Sequence, residues 1–347
     1  MSLYQRIIHS NFFIKLTNWE YWPFGIVQGP FFLYWFWYSL RTRSLFFFSA
    51  SNPSILMGGM MGESKYDVLK LVPDGLKPKT FLVKLPATKN DVLNLIKENR
   101  LSFPLIFKPD LGERGWMVKR IEHQDDIQDY LNKIKIDFLI QELVDLPLEF
   151  GVFYVRIPNQ EKGNVNSITG KEFLSITGDG HKTLQELVLE KDRAKLQWET
   201  LRHQYKNRLN EIIPVGKTME LVSIGNHCLG TKFLNSNHLI TSKLNESFNS
   251  ISKQINGFYF GRFDLRCASP EDLEKGNVKI LELNGCGAEP AHIYHPGASL
   301  REALKVLHTH WKNLYVISSI NHQRGTPYLS FQEGKRIYNR FKSLKTG

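Results

Sequence analysis

Apolar and polar positions alternate in two short stretches that set the terms for the rest of the chain. In FYFGRFDL, residues 258 to 265, alternate side chains face the same way, so Arg262 and Asp264 share a face. In VKILELN, residues 278 to 284, the same rule pairs Glu282 with Asn284. SPEDLEKG between them reads as a turn. A hairpin folded about its middle sets Asp264 opposite Glu282 and Arg262 opposite Asn284. Like charges opposed across a sheet are destabilising, and burying them unpaired costs more still, so a positive group belongs between them. One candidate is a divalent cation, because two carboxylates and an amide oxygen without thiolate or imidazole suit a hard ion such as Mg2+ or Mn2+. The other is a salt-bridge cluster around Arg262 and Arg266.

Upstream, NPSILMGGMMGESK reads as a strand entering a glycine loop, and KYDVLKLVP as a short helix stopped by Pro73. From Pro78 the pattern predicts strand TFLV, helix NDVLNLIKEN, strand FPLIFKPD, a glycine loop, strand WMVKRI, helix DDIQDYLNKI and strand FLIQELV. Strand EFGVFYVRIP and a polar stretch follow. Thr183 and Glu186 then stand at capping-box spacing, which predicts a long charged helix to about Asn210. A strand beyond Pro214, helix SKLNESFNSISKQI and the hairpin come next, and the tail from Lys335 reads as a solvated basic helix. These elements predict an α/β protein of the α+β kind. The expected divisions are an aromatic segment over 1–62, a main domain over 63–320 split near 145, and a basic tail over 321–347.

Residues 21–40, YWPFGIVQGPFFLYWFWYSL, carry ten aromatic side chains and no charge, and Arg41 and Arg43 follow. The break at Gln28-Gly29-Pro30 leaves a clean helix of about 16 Å, too short to span a bilayer. That much apolar surface needs a cover. The domain itself, a second copy of the chain in a homodimer, a membrane interface and a true span are the alternatives. Trp and Tyr beside arginine suit the interface, so we expect docking there, in a protein that is cytoplasmic or peripheral on the cytoplasmic face. The stretch lacks the charged start and A-x-A end of a signal peptide.

Composition adds charge to this picture. Lys and Arg number 45 against 34 acidic residues, a net +11, which favours nucleotide phosphates, acidic substrates or an anionic membrane surface. No zinc-finger spacing or RNP-type aromatic motif points to nucleic acid. Cys228, Cys267 and Cys286 lack metal spacing, so a reducing compartment without disulfides is expected.

PLIFKPDLGERGWMV, GESK, IQELVDLPLEF and the hairpin together resemble the ATP-grasp superfamily over residues 63 to 300. Within it they resemble D-alanine:D-alanine ligase and the ATP-grasp part of cyanophycin synthetase. The resemblance implies an ATP-grasp fold of two α/β subdomains with ATP between them. Lys65 and Lys108 would contact phosphate, Gly112 and Gly115 would let backbone amides approach it, and Arg114 would add charge. Glu142 falls on the adenine-side strand, and Glu149, seven residues on, would accept the ribose hydroxyls. The metal residues of the family fall on Asp264, Glu282 and Asn284, joined by Arg262, the same four that the pairing argument selects. A second phosphate lysine of the family has no clean match here, and Lys171 is the candidate for it. Asn226, Gly230 and Thr231 resemble cyanophycin synthetase, while Glu289, His292 and Tyr294 follow the metal strand and are expected on the acceptor side. The usual βαβ substrate domain has no counterpart, because only the aromatic segment precedes Lys65. The implied activity joins a small-molecule carboxylate to an amine through an acylphosphate, with Mg2+ or Mn2+ and with Arg262 and Lys108 as catalytic charges. Phosphoryl transfer to a hydroxyl, and a membrane-associated nucleotide-binding protein without turnover, are the alternatives.

Overall fold

The computed structural model describes residues 10–113, 115–222, 225 and 227–346. Helices α1 (Asn11–Thr17) and α2 (Phe24–Thr42) come first, followed by α3 (Lys65–Lys70). Strand β1 (Thr80–Val83), α4 (Lys89–Glu98), β2 (Leu105–Pro109), β3 (Lys119–Ile121), α5 (Asp126–Lys133) and β4 (Phe138–Glu142) form one unit. Its sheet has the order β1-β4-β2-β3 with every pair antiparallel. The alternation of each strand decides its orientation. Leu105 and Phe107 of β2 and Phe138 and Ile140 of β4 pack against α4 and α5 in one apolar cluster, which turns Lys108 and Gln141 to the other face. Thr88 caps α4 by accepting from the Asp91 amide, and Asp91 answers on the Thr88 amide at 2.7 Å.

A second unit holds β5 (Leu148–Val155), β6 (Asn164–Glu172), β7 (Ser175–Thr177), α6 (Leu184–Glu190), α7 (Asp192–Lys195), α8 (Trp198–Gln204), β8 (Thr218–Glu220) and β9 (Lys232–Asn235). It continues through α9 (Ser242–Lys253), β10 (Phe260–Cys267), α10 (Pro270–Lys275) and β11 (Lys279–Asn284). The main sheet runs β11-β10-β5-β6-β9, again antiparallel throughout. Phe150 and Val152 of β5 join Phe263 and Leu265 of β10 against Leu244, Phe248 and Ile251 of α9. The opposite face of β5 and β10 is therefore left with Glu149, Arg262, Asp264 and Arg266. Helices α11 (Leu300–Gln323) and α12 (Phe331–Thr346) close the chain.

Several expectations change. Helix α2 runs unbroken through Pro30 for 19 residues, because Val27, Phe31 and Tyr38 on one face are anchored in apolar clusters with α11. No strand forms over residues 47–62; 3-10 turns occupy the stretch, and Met57, Gly58 and Gly59 adopt positive φ. The polar stretch after β5 contains β6, a central strand whose buried positions include Ser167 and Thr169, which hid it from a hydrophobicity reading. The single helix expected to Asn210 is three short ones, broken first at Lys191, which is extended. SPEDLEKG is not a plain turn but a six-residue helix, capped by Ser269 and stopped at Gly276 with φ 76°. No boundary falls at 320, since α11 passes through it, and α12 carries basic residues outward while Ile337 and Phe341 pack beside Gly62. Cys267 and Cys286 are free and buried, as expected of small apolar residues.

One backbone crossing ties the N-terminal segment to the second sheet. The amides of Cys286 and Gly287 donate to the carbonyls of Gly58 and Gly59, each at 2.9 Å. Asn52, fully buried, donates to the carbonyls of Gly58 and Phe260 and accepts from the amides of Tyr259 and Phe260. A Cβ on Gly285 would sit 2.3 Å from the Gly58 carbonyl oxygen. Gly285→Ala should therefore lower stability by roughly 1–3 kcal/mol, read from the urea midpoint; an unchanged midpoint would show that the crossing yields freely.

Candidate active site

The two polar sheet faces look at each other across a cleft of about 1200 Å3, and the N-terminal segment walls one end with Trp22, Pro23 and Val27. The strand register across the hairpin is Arg262 to Asn284 and Asp264 to Glu282, as the alternation predicts. Arg262 grips Asp264 with Nε at 2.9 Å and a terminal nitrogen at 3.0 Å, and Asn284 donates to the same carboxylate at 3.0 Å. Lys171 lies between Glu149 at 2.9 Å and Asp264 at 3.5 Å. Lys65 pairs with Glu282 at 2.6 Å. The opposed carboxylates are thus met by Arg262 of the same strand and by lysines from two other elements, Lys171 of β6 and Lys65 of α3. Arg266, the other arginine of the anticipated cluster, binds Glu149 at 2.9 Å instead.

These contacts set the charge states. Burial pushes the Asp264 carboxyl up, but Arg262 and then Lys171 outweigh it and hold it at about 2. Burial likewise works against the charges of Lys65, Lys171 and Glu282, and their partners reverse it: both lysines are raised and Glu282 is lowered. Lys108 differs. Burial takes its ammonium down to about 8, with Glu282 opposing only in part. Its hydrogen-bond acceptors among the described residues are neutral, Gln141 Oε1 at 3.0 Å and the Leu281 carbonyl at 3.1 Å. Among the described residues it is a buried cation without a contacting anion.

Of the nucleotide-side residues, Lys65, Lys108, Gly112, Gly115, Glu142 and Glu149 line the cleft, as does Lys171. Glu149 is held by Lys171 and Arg266, while exposed Glu142 accepts from the Lys79 amide at 3.3 Å. Asp264, Glu282, Asn284 and Arg262 line its floor, and Glu289 and Tyr294 its N-terminal end. Tyr294 donates to Glu289 at 2.8 Å, Gln28 donates to the other carboxylate oxygen, and Arg262 binds the Glu289 carbonyl at 3.1 Å. Three expected residues lie off the cleft. His292 is buried, which pushes its imidazole down to about 4; Thr231 is fully buried behind the wall, and Gly230 packs against Leu174 and Gln197. Arg114 and Asn226 lie outside the described residues.

For a hard divalent ion the donors fit in part. Glu282 keeps one oxygen away from Lys65 and Asn284 keeps its amide oxygen, whereas Arg262 occupies both oxygens of Asp264. No group of three or more His, Cys, Asp or Glu forms a ready cation cage among the described residues. Sequence reasoning missed Gln141, Gln28 and the buried trio in which Glu20 accepts from Arg193 at 2.5 Å and lies 3.0 Å from His227. A signal existed: Glu20 is the one acid between Lys15 and Glu63, and a lone acid in an aromatic run requires a buried partner.

No protein-family model matches the sequence, and no curated protein does either. Among solved structures the chain is similar to D-alanine:D-alanine ligase from Bacillus anthracis, at 15% identity over 78% of this chain and 72% of that one, with a TM-score of 0.43. It is similar to VanG D-Ala:D-Ser ligase from Enterococcus faecalis at 15% identity, 72% and 62% coverage and TM-score 0.40. It is similar, too, to a bifunctional glutathione synthetase from Pasteurella multocida at 12% identity, 73% and 38% coverage and TM-score 0.35.

The electrostatics generate a pH prediction. Because the Asp264 pKa lies below the ordinary 3.8, its pairing stabilises the fold fully above about pH 4 and is lost as pH falls through about 2, an effect of about 2 kcal/mol. In Asp264→Asn the difference from wild type should shrink over that range when stability is measured by denaturant at stepped pH. A difference that stays constant would mean the carboxylate is not paired as described.

Proposed function

We propose that this protein is an ATP-dependent ligase that joins a carboxylate to an amine through an acylphosphate. One observation carries the reading: among the described residues Lys108 is a buried ammonium without a contacting anion, facing the opposed carboxylates Asp264 and Glu282 across a cleft wide enough for a nucleotide. A triphosphate answers that vacancy of charge. Glu289, a carboxylate oriented into the opposite end by Tyr294 and Gln28, suits an ammonium group and favours an amine acceptor over a hydroxyl.

In this mechanism a substrate carboxylate oxygen attacks the γ-phosphorus and ADP leaves; the amine nitrogen then attacks the acyl carbon and inorganic phosphate leaves. Lys65, Lys108 and Arg262 offset the charge that shifts toward the leaving oxygen. Glu282 and Asn284 would hold a Mg2+ or Mn2+ ion, which would supply Lewis-acid stabilisation of phosphate charge. Arg262, bound to both Asp264 and the Glu289 carbonyl, links the phosphate end to the acceptor end. Glu289 orients the acceptor ammonium and takes its proton. No side-chain nucleophile is required.

The phosphate assignment has its own signature. Lys108→Ala should weaken ATP far more than adenosine, and ATP affinity in the wild type should fall as pH rises through about 8, where the Lys108 ammonium of the free protein titrates. Lys108→Arg should move that limb upward. Equal losses for ATP and adenosine by calorimetry would remove Lys108 from the phosphate site.

Turnover is tested by screening amino acids and acidic glycans for stimulated ADP release. The expected result is ADP and phosphate in equal amounts only when a carboxylate and an amine are both present, with Glu282→Gln folded but inactive. ADP formed with phosphate transferred to a hydroxyl would replace the ligase by a phosphotransferase.

A further inference from the structure

Helix α2 has two apolar faces, and only one is covered. Val27, Phe31 and Tyr38 pack on α11, and Tyr38 stacks on Tyr315 at 4.3 Å. On the other side Ile26, Phe32, Leu33, Phe36, Trp37 and Leu40 stand in solvent, Leu33 at 73% exposure and the other five above half. They form a stripe about 21 Å long, uninterrupted by charge. A contiguous apolar patch of this kind marks a contact surface.

We propose that this stripe lies on an anionic lipid bilayer, in the plane of the headgroups. Charge selects the occupant. Arg41 and Arg43, both exposed, close the stripe at its C-terminal end. The start of α12 abuts the same end, since Gly334 packs on the Phe46 ring, and exposed Lys335 and Arg336 follow. Between Ser10 and Phe46 the sole acid is Glu20, which is buried and taken by Arg193 and His227. A second copy of this surface brings Arg41, Arg43, Lys335 and Arg336 again with Glu333 beside them, an excess of cations, whereas an anionic membrane supplies the complement.

Geometry selects the mode. No helix among the described residues is long and apolar enough to cross a membrane, and the covered face of α2 is committed to α11. The helix therefore rests on the bilayer with its aromatic face at headgroup depth. Val27, on its covered side, lines the cleft. Docking would hold the cleft wall about one helix diameter, about 10 Å, from the lipid.

The test uses full-length protein and vesicles, either phosphatidylcholine alone or equal parts phosphatidylcholine and phosphatidylglycerol. Wild type should pellet with the anionic vesicles. The triple variant Leu33→Ser, Phe36→Ser, Trp37→Ser should bind at least about tenfold more weakly, at an unchanged melting temperature. Arg41→Glu with Arg43→Glu, a second and independent probe, should abolish the preference for anionic lipid. Protein that stays in the supernatant with both vesicles overturns the proposal. So does binding indifferent to both sets of substitutions, or a soluble dimer that the serine variant dissolves without any vesicle binding.

Discussion

Two carboxylates opposed across a hairpin are the constraint on which the site depends. Asp264 and Glu282 stand at matched positions of β10 and β11, and neither remains ionised in a buried setting without compensation. The compensation arrives from separate parts of the chain: Arg262 from the same strand, Lys171 from β6, and Lys65 from the first turn of α3. Each of these elements must therefore be in place for the pair to exist. The glycine crossing at residues 57–62 exists in this arrangement because Lys65 follows it; the chain has to pass directly beside Gly285 to bring that lysine to Glu282. Local backbone geometry and long-range electrostatics thus specify the same packing.

Much of this was legible in the sequence where alternation is strong. Strands with apolar residues on one face and charge on the other announce both their core and their cleft positions, which is why Arg262, Asp264, Glu282 and Asn284 could be read directly, whereas Lys108 came only from the family resemblance. Strand β6 was not legible, because a strand central in a sheet yet lined by Ser167 and Thr169 carries little hydrophobic contrast. The break of the helix after Glu190 and the continuity of α2 through Pro30 were illegible for a related reason. Tertiary anchors decide both, and local propensity points the other way. Thr231 and His292 sit close in sequence to cleft residues and yet are buried behind them, a distinction of side-chain direction that neighbourhood in the chain does not convey.

The N-terminal segment takes a structural role that its composition obscured. Its aromatic residues cover the second sheet and α11 on one side, while Glu20, on the cleft wall, binds Arg193 and His227, and Gln28 binds Glu289. The Glu289 end of the cleft consequently depends on a helix whose remaining face is apolar and exposed.

The central claim is that the cleft holds a metal-bound nucleoside triphosphate between Lys108 and the Asp264–Glu282 pair. Calorimetric titration with a non-hydrolysable ATP analogue tests it without knowledge of the other substrates. The account predicts binding that needs Mg2+ or Mn2+, disappears on chelation, and is lost in Glu282→Gln. Absence of binding with metal present, or binding indifferent to both metal and Glu282, would contradict it.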